Sequence, residues 1–283
     1  MRFARRLPLF AAAGLLARIG GAAPLPLGGG WAHDTVWDDG RAEVAVYAAR
    51  RPIYGASRAY EAVLLTVKEE FDTAKLVKAD PPLASRTTFT VIKQNVVREI
   101  PTPNYDYRIT TSAFVERGEP GRLVKLAASS QEWCGVTWKL LRVRGDRASY
   151  EWSSYFDAEA DGRQEFEWRA DDLVVDQLPL SLRGLSFRDG LEFDARLHGA
   201  GFATNHGAAL HAVAAHFRVS GPQSLRLPIG DRQAWRVDVN EPEGRASYWF
   251  DVAGTHPLLR LERSDGEGLE LSRLERRAYW VLP

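Results

Sequence analysis

The chain has 283 residues, 45% hydrophobic and 26% charged, a balance that fits one large globular domain or two small ones. Thirty-seven basic residues meet thirty-seven acidic ones, which argues against a general nucleic-acid binder with its basic excess. A single cysteine excludes an internal disulfide, so the fold must rest on its core, for which nine tryptophans supply bulk.

Residues 1–23 read as a cleavable export signal. Arg2, Arg5 and Arg6 form a positive start, residues 7–17 an apolar stretch too short to span a bilayer, and Gly21, Ala22 and Ala23 a small-residue cleavage site before Pro24. The Arg5-Arg6 pair also fits a twin-arginine signal, which leaves the general secretory and twin-arginine routes both open. Cleavage after Ala23 removes four arginines and no acid, leaving a mature chain with net charge −4. The expected location is the periplasm or the cell exterior, with no transmembrane segment after the signal. Residues 24–31 read as a Pro/Gly linker and residues 32–283 as a single β-rich domain.

Beyond the linker, Asp38, Asp39 and Glu43 are acids without the spacing of a calcium loop, and a solvated turn is expected there. Residues 61–70 have helix propensity, but Val63, Leu65 and Val67 alternate, and the alternation predicts a strand. Asp80-Pro81-Pro82 breaks the chain before another alternating run, in which Phe89, Val91, Lys93, Asn95 and Val97 share a face. Gly145-Asp146 and Asp161-Gly162 each mark a hairpin. Residues 171–182 are the one place for a short helix, limited by Pro179. Residues 208–219 are rich in alanine, yet His211, Val213, Ala215, Phe217 and Val219 alternate as in a strand. The last third reads as a meander, its runs separated by Gly230-Asp231, Glu243-Gly244, His256-Pro257 and Asp265-Gly266. The expected fold is all-β, an antiparallel sheet of roughly a dozen strands curled into a sandwich or open barrel, with at most one short helix.

Residues 129–135, Ser-Ser-Gln-Glu-Trp-Cys-Gly, join two apolar runs at 123–128 and 136–143 and concentrate the polar groups worth watching. The expectation is that they lie in mid-sheet, with Trp133 and Cys134 buried and Glu132 paired with an arginine or backbone donors. Gln131, Glu132, Trp133 and Cys134, with Lys93 and Asn95, are the candidate ligand-binding residues. No metal site is expected, because His206, His211 and His216 diverge on either a strand or a helix. No cofactor fingerprint follows a strand and opens a helix.

Trp37-x-Asp39-Gly40-x-Ala42-Glu43, Tyr54-Gly55, Val67-x-Glu69, Val91-x-Lys93-x-Asn95, Tyr105-x-Tyr107, Ser112-x-Phe114 and residues 129–135 together resemble a family of exported bacterial proteins of unknown function. The resemblance covers about residues 37–156; the C-terminal meander is similar to other exported β-proteins of unknown function. Members often carry the label "septum formation inhibitor Maf". That label belongs to cytoplasmic α/β nucleotide pyrophosphatases with a Ser-x-Ser-Pro-Arg-Arg start, a motif this chain lacks. The resemblance implies export and a β fold and carries over no catalytic residue.

Two functions follow as expectations. The first is a non-enzymatic binding or carrier protein of the cell envelope for an apolar or lipid-like ligand. The second is an envelope hydrolase using Glu132 or Cys134 with a histidine, His198, His206, His211 or His216, as base. Glu132 facing Asp157 would serve glycosidase chemistry.

Overall fold

The computed structural model describes residues 24–83, 86–199, 201–241 and 244–281. The expected export signal lies outside them. Fifteen strands form one sheet: β1 (Ala42–Ile53), β2 (Ala56–Asp72), β3 (Thr88–Pro101), β4 (Asp106–Glu116), β5 (Glu119–Glu132), β6 (Gly135–Arg144), β7 (Arg147–Ser153), β8 (Asp161–Glu167), β9 (Asp172–Val174), β10 (Glu192–His198), β11 (Ala212–Leu225), β12 (Arg232–Glu241), β13 (Gly244–Asp251), β14 (Leu258–Arg263) and β15 (Gly268–Arg277). The all-β expectation holds. The alternating runs at 61–70 and 212–219 are strands, because a half-buried pleated face outweighs local helix propensity. The short helix α1 (Leu178–Ser181), flanked by 3-10 turns, falls where it was expected. No helix among the described residues is long and apolar enough to cross a membrane.

The order across the sheet is β8-β7-β6-β5-β4-β3-β2-β1-β15-β14-β13-β12-β11-β10-β9. The domain's first strand is therefore central, and the chain walks out to one edge, crosses, and walks back from the other. Every pairing is antiparallel except β9 with β10. The crossing is short. Glu167 ends β8 and Asp172 begins β9, so a four-residue crossing keeps these two edge residues within about 17 Å of each other. The sheet is curled almost shut, but no ladder closes it.

Side chains bridge the gap instead. The Gln164 amide on β8 donates to Leu210 O (3.0 Å) and accepts from Leu210 N (2.9 Å), much as a strand residue would. Phe166 and Trp168 pack their rings on His198 of β10, with centroids 5.4 and 5.2 Å away. Trp152 fits in this region only because Gly162 and Gly207 lack a Cβ; one added at either would lie 1.9 or 2.4 Å from the indole.

Inside the curl, inward-facing residues of β1–β4 and β10–β15 share one apolar cluster with Leu178 and Leu182. A second joins β4–β7 to Trp31, Trp37, Leu180 and Phe202. The helical segment thus plugs the inside of the curl. Its Arg183 is 1% exposed, donates to Glu43 of β1 at 2.5 Å and lies over the Trp31 ring.

One expectation near the N-terminus is corrected, and a second holds in part. The stretch read as a linker packs on the core: Leu27 bridges Leu185, and Gly28 N donates to Gly184 O. Of the acids read as a solvated turn, Asp38 and Asp39 do lie in an exposed turn, whereas Glu43 is buried on β1. Asp38 is held by Arg117 and Lys68, Asp39 by Arg276, and Glu43 points inward to Arg183.

Candidate functional site

The stretch at 129–135 is not mid-sheet. The runs on either side of it are apolar because they pair with each other, Glu132 opposite Gly135, so Trp133-Cys134 is the hairpin turn between them. Trp133 is 83% exposed, stacked on Tyr105 at 5.7 Å, and Cys134 is exposed with Sγ 3.3 Å from the Tyr105 hydroxyl. The expected burial of both residues is therefore wrong. A turn has no neighbouring strand to cover it, whatever its residue types.

The other candidates separate by strand alternation. Val96, Arg98 and Ile100 of β3 face the inside of the curl, so Lys93 and Asn95 face the outside. Lys93 there pairs with Glu69. Gln131 is exposed and faces outward, along a groove with Asn104, Asp106 and Arg108. Of the six, only Glu132 and Cys134 reach the mouth of the curl. There they share a cavity of about 430 Å³ with Arg51, Tyr54, Tyr105, Tyr107, Asn205 and His206.

Arg51, Thr204 and His206 also line a second, deeper cavity of about 440 Å³ against the concave face. Its floor and walls are Val96 and Arg98 of β3, Tyr150 of β7, Tyr248, Leu261 and Arg263 of β13 and β14, Asp265 and Glu267, and Val175, Asp176 and Pro179 of the plug. Its cover is the loop around residues 201–211, from which Ala203, Thr204, Ala208, Ala209, Leu210 and His211 face in. Both volumes fall in the ~300–1,000 Å³ range of small-molecule sites.

Side chains of the sheet hold this cover in place. Lys139 of β6, 2% exposed, donates to Gly201 O, to Thr204 O at 2.9 Å and to Thr204 Oγ1 at 3.0 Å. Arg51 donates to Ala203 O (2.6 Å) and Thr137 to Asn205 O (2.8 Å). Glu159 pairs with His206 at 2.6 Å and accepts from Gly207 N at 2.7 Å. Burial pushes the Lys139 ammonium down to about 8, against the pull of Asp176 and Glu159.

Glu132 is one of these tethers. It accepts from Asn205 Nδ2 at 2.7 Å, so its partner is a loop amide, not an arginine or a backbone donor. Glu132→Ala is expected to lower stability by about 1.5–3 kcal/mol, the scale of one hydrogen bond to a charged group. It should also speed amide exchange in residues 201–207, read by hydrogen exchange with mass spectrometry.

Behind the lining of the deeper cavity several buried polar atoms have no hydrogen-bond partner. Arg98, 8% exposed, has Nε and Nη1 sealed from solvent with no acceptor; Glu267 Oε1 lies 3.7 Å away and has no donor. Asp176 keeps part of its surface toward the cavity, but its Oδ2 is sealed and unpartnered. Burial raises the Asp176 carboxyl, opposed by Arg98, Lys139 and Arg263 and aided by Glu267.

Sequence reasoning missed Arg98, Lys139 and Asp176, although their signal is readable. Arg98 sits between Val96 and Ile100 on the inward side of β3, and Lys139 sits between Thr137 and Leu141 on the inward side of β6. A charge on the apolar face of an alternating strand marks a built interior. Asp157 walls neither cavity. The thiol of Cys134 and the imidazole of His206 share the mouth without a hydrogen bond between them. Among the described residues no cluster of His, Cys, Asp and Glu is placed to hold a metal ion. No family model, curated protein or solved structure matches the chain.

Proposed function

We propose that this is a non-enzymatic binding or carrier protein, exported to the cell envelope, which holds a lipid-like small molecule in the deeper cavity. One observation carries the reading: a covered cavity on the concave face sets apolar walls beside a charged floor. Val96, Val175, Leu210 and Leu261 supply the surface for an apolar chain, and the charged floor supplies the place for a head group. Export rests on residues 1–23 alone.

The hydrolase reading keeps one support, the shared mouth of Cys134, Glu132 and the His206–Glu159 pair. It lacks the bond from nucleophile to base on which such chemistry depends. Native mass spectrometry of protein purified from its own cells separates the two. The wild type should carry a small molecule. Ala209→Trp, which adds bulk to the cavity from an exposed position on the cover, should carry none. Ligand-free wild type that turns over ester or glycan substrates, and loses this on Cys134→Ser or Glu132→Gln, would put the hydrolase first.

A further inference from the structure

Going beyond the carrier reading and independent of it, we propose a glycan-binding site on the outer side of the curl. Trp133 stacks there on a pyranose ring of a neutral glycan, whose hydroxyls are held by Asn104, Asp106, Arg108 and Gln131. At 83% exposure Trp133 is the most exposed large apolar side chain among the described residues. It is nevertheless held in place. Its ring stacks on Tyr105 with centroids 5.7 Å apart and 22° between the planes, and Tyr105 packs in turn on Tyr107 at 5.7 Å. The Tyr105 hydroxyl is fixed from two sides, 3.3 Å from Cys134 Sγ and 3.3 Å from the Tyr54 hydroxyl. Tyr107 itself is buried. The three rings form a column rooted in the sheet, and the indole at its outer end is covered on one face only. An open ring already held in one orientation loses little conformational freedom when a ligand settles on it.

The groove beside this indole has the chemistry of a sugar site. Trp133 and Tyr105 share it with Asn104, Asp106, Arg108 and Gln131, in a volume of about 530 Å³. The β4–β5 pairing places Arg108 directly opposite Gln131, and Asp106 shares the outward face of β4 with Arg108. Among the described residues the side chains of Asn104, Asp106 and Gln131 have no hydrogen-bond or ion-pair partner. Arg108 has only Glu99, 3.9 Å away, with both side chains 66% exposed. Together they offer an acceptor-only carboxylate, a donor-only guanidinium and two amides that do both. Pyranose hydroxyls donate and accept, so each finds a partner here. The C–H bonds on a pyranose face carry slight positive charge and suit the negative face of an indole. An apolar chain would instead leave four polar side chains desolvated and unpaired. An anionic lipid surface would meet Asp106 and Glu132 against one arginine and no lysine. The same excess of acid disfavours an acidic glycan.

The test is calorimetric titration of the full chain with chitohexaose and cellohexaose, both neutral β-linked glycans, and with vesicles of phosphatidylethanolamine and phosphatidylglycerol. At least one hexaose should bind, with a Kd between about 10 μM and 1 mM, and the vesicles should not. Trp133→Ala should weaken glycan binding by about tenfold or more, the scale of a central aromatic contact. Its melting temperature should stay at the wild-type value, because the side chain is exposed. Trp133→Tyr, which keeps a ring, should retain most of the affinity. The double change Asn104→Ala with Gln131→Ala leaves the column untouched and should weaken binding by about threefold to tenfold, the scale of neutral hydrogen bonds. Failure of both hexaoses to bind, or an affinity unchanged in Trp133→Ala, would overturn the proposal. Vesicle binding that is lost in Trp133→Ala would overturn it too and make the indole a membrane contact. None of these outcomes touches the deeper cavity, whose content native mass spectrometry reads separately.

Discussion

Arg183→Leu is expected to destabilise the protein by about 3–5 kcal/mol and to lower its melting temperature by roughly ten degrees. Arg183 and Glu43 are both buried, at 1% and 5% exposure, and their contact joins the plug to β1. Glu43 has one other weak partner, the Thr255 hydroxyl at 3.5 Å. Removing the guanidinium leaves a carboxylate in the core with almost nothing to offset its lost hydration. Burying the pair is itself expensive, since Arg183 Nε and Nη1 have no acceptors. The double change Arg183→Leu with Glu43→Leu should therefore recover most of the loss. Urea denaturation of the two single variants and the double variant measures this. Additive losses would show that the two side chains do not act as a pair.

The second large effect is in the pH dependence. Lys139 titrates near 8 in the folded protein against an ordinary 10.5, so between these values the unfolded chain binds more protons. Stability must then rise with pH from about 8, and the gain by pH 10 is about 2–3 kcal/mol. Lys125, lowered by partial burial, adds in the same direction. Above pH 10 the trend reverses. Tyr47, Tyr60 and Tyr150 are raised from 10.0 chiefly by burial, so the folded chain keeps protons that the unfolded chain releases. The expected curve climbs through pH 8–10 and falls beyond it. In Lys139→Met most of the climb should vanish while the fall remains. Melting temperatures across pH 7–11 for both proteins test this, and a wild-type curve that is flat or falling from pH 8 to 10 would count against a buried charged Lys139.

The strand content was readable because alternation is a property of each strand alone. Phe217 and Val219, or Leu141 and Val143, reveal an inward face without reference to any neighbour. The short plug was readable from Leu173, Val174 and Leu178 ahead of Pro179, although the first two belong to β9. Closure was not. It depends on four residues crossing from β8 to β9 and on Gln164 finding Leu210, a partner that no local pattern specifies. The site failed in an instructive way. Residues 129–135 drew attention through unusual side chains, yet the pairing of their flanks made Trp133 and Cys134 the exposed turn. Glu132 kept a role, but as a tether for Asn205. The groups that build the deeper cavity, Arg98, Lys139 and Asp176, come from β3, β6 and the plug, and only the curl of the sheet brings them together.

A crystal structure of protein taken directly from its own cells, at a resolution that separates water from a continuous chain, tests the cavity reading most directly. The expected result is elongated density within the cavity, lying along Val96, Leu210 and Leu261. Discrete waters satisfying Arg98, Asp176 and Glu267, with residues 201–211 packed as they are here, would contradict it and leave the cavity a hydrated structural interior.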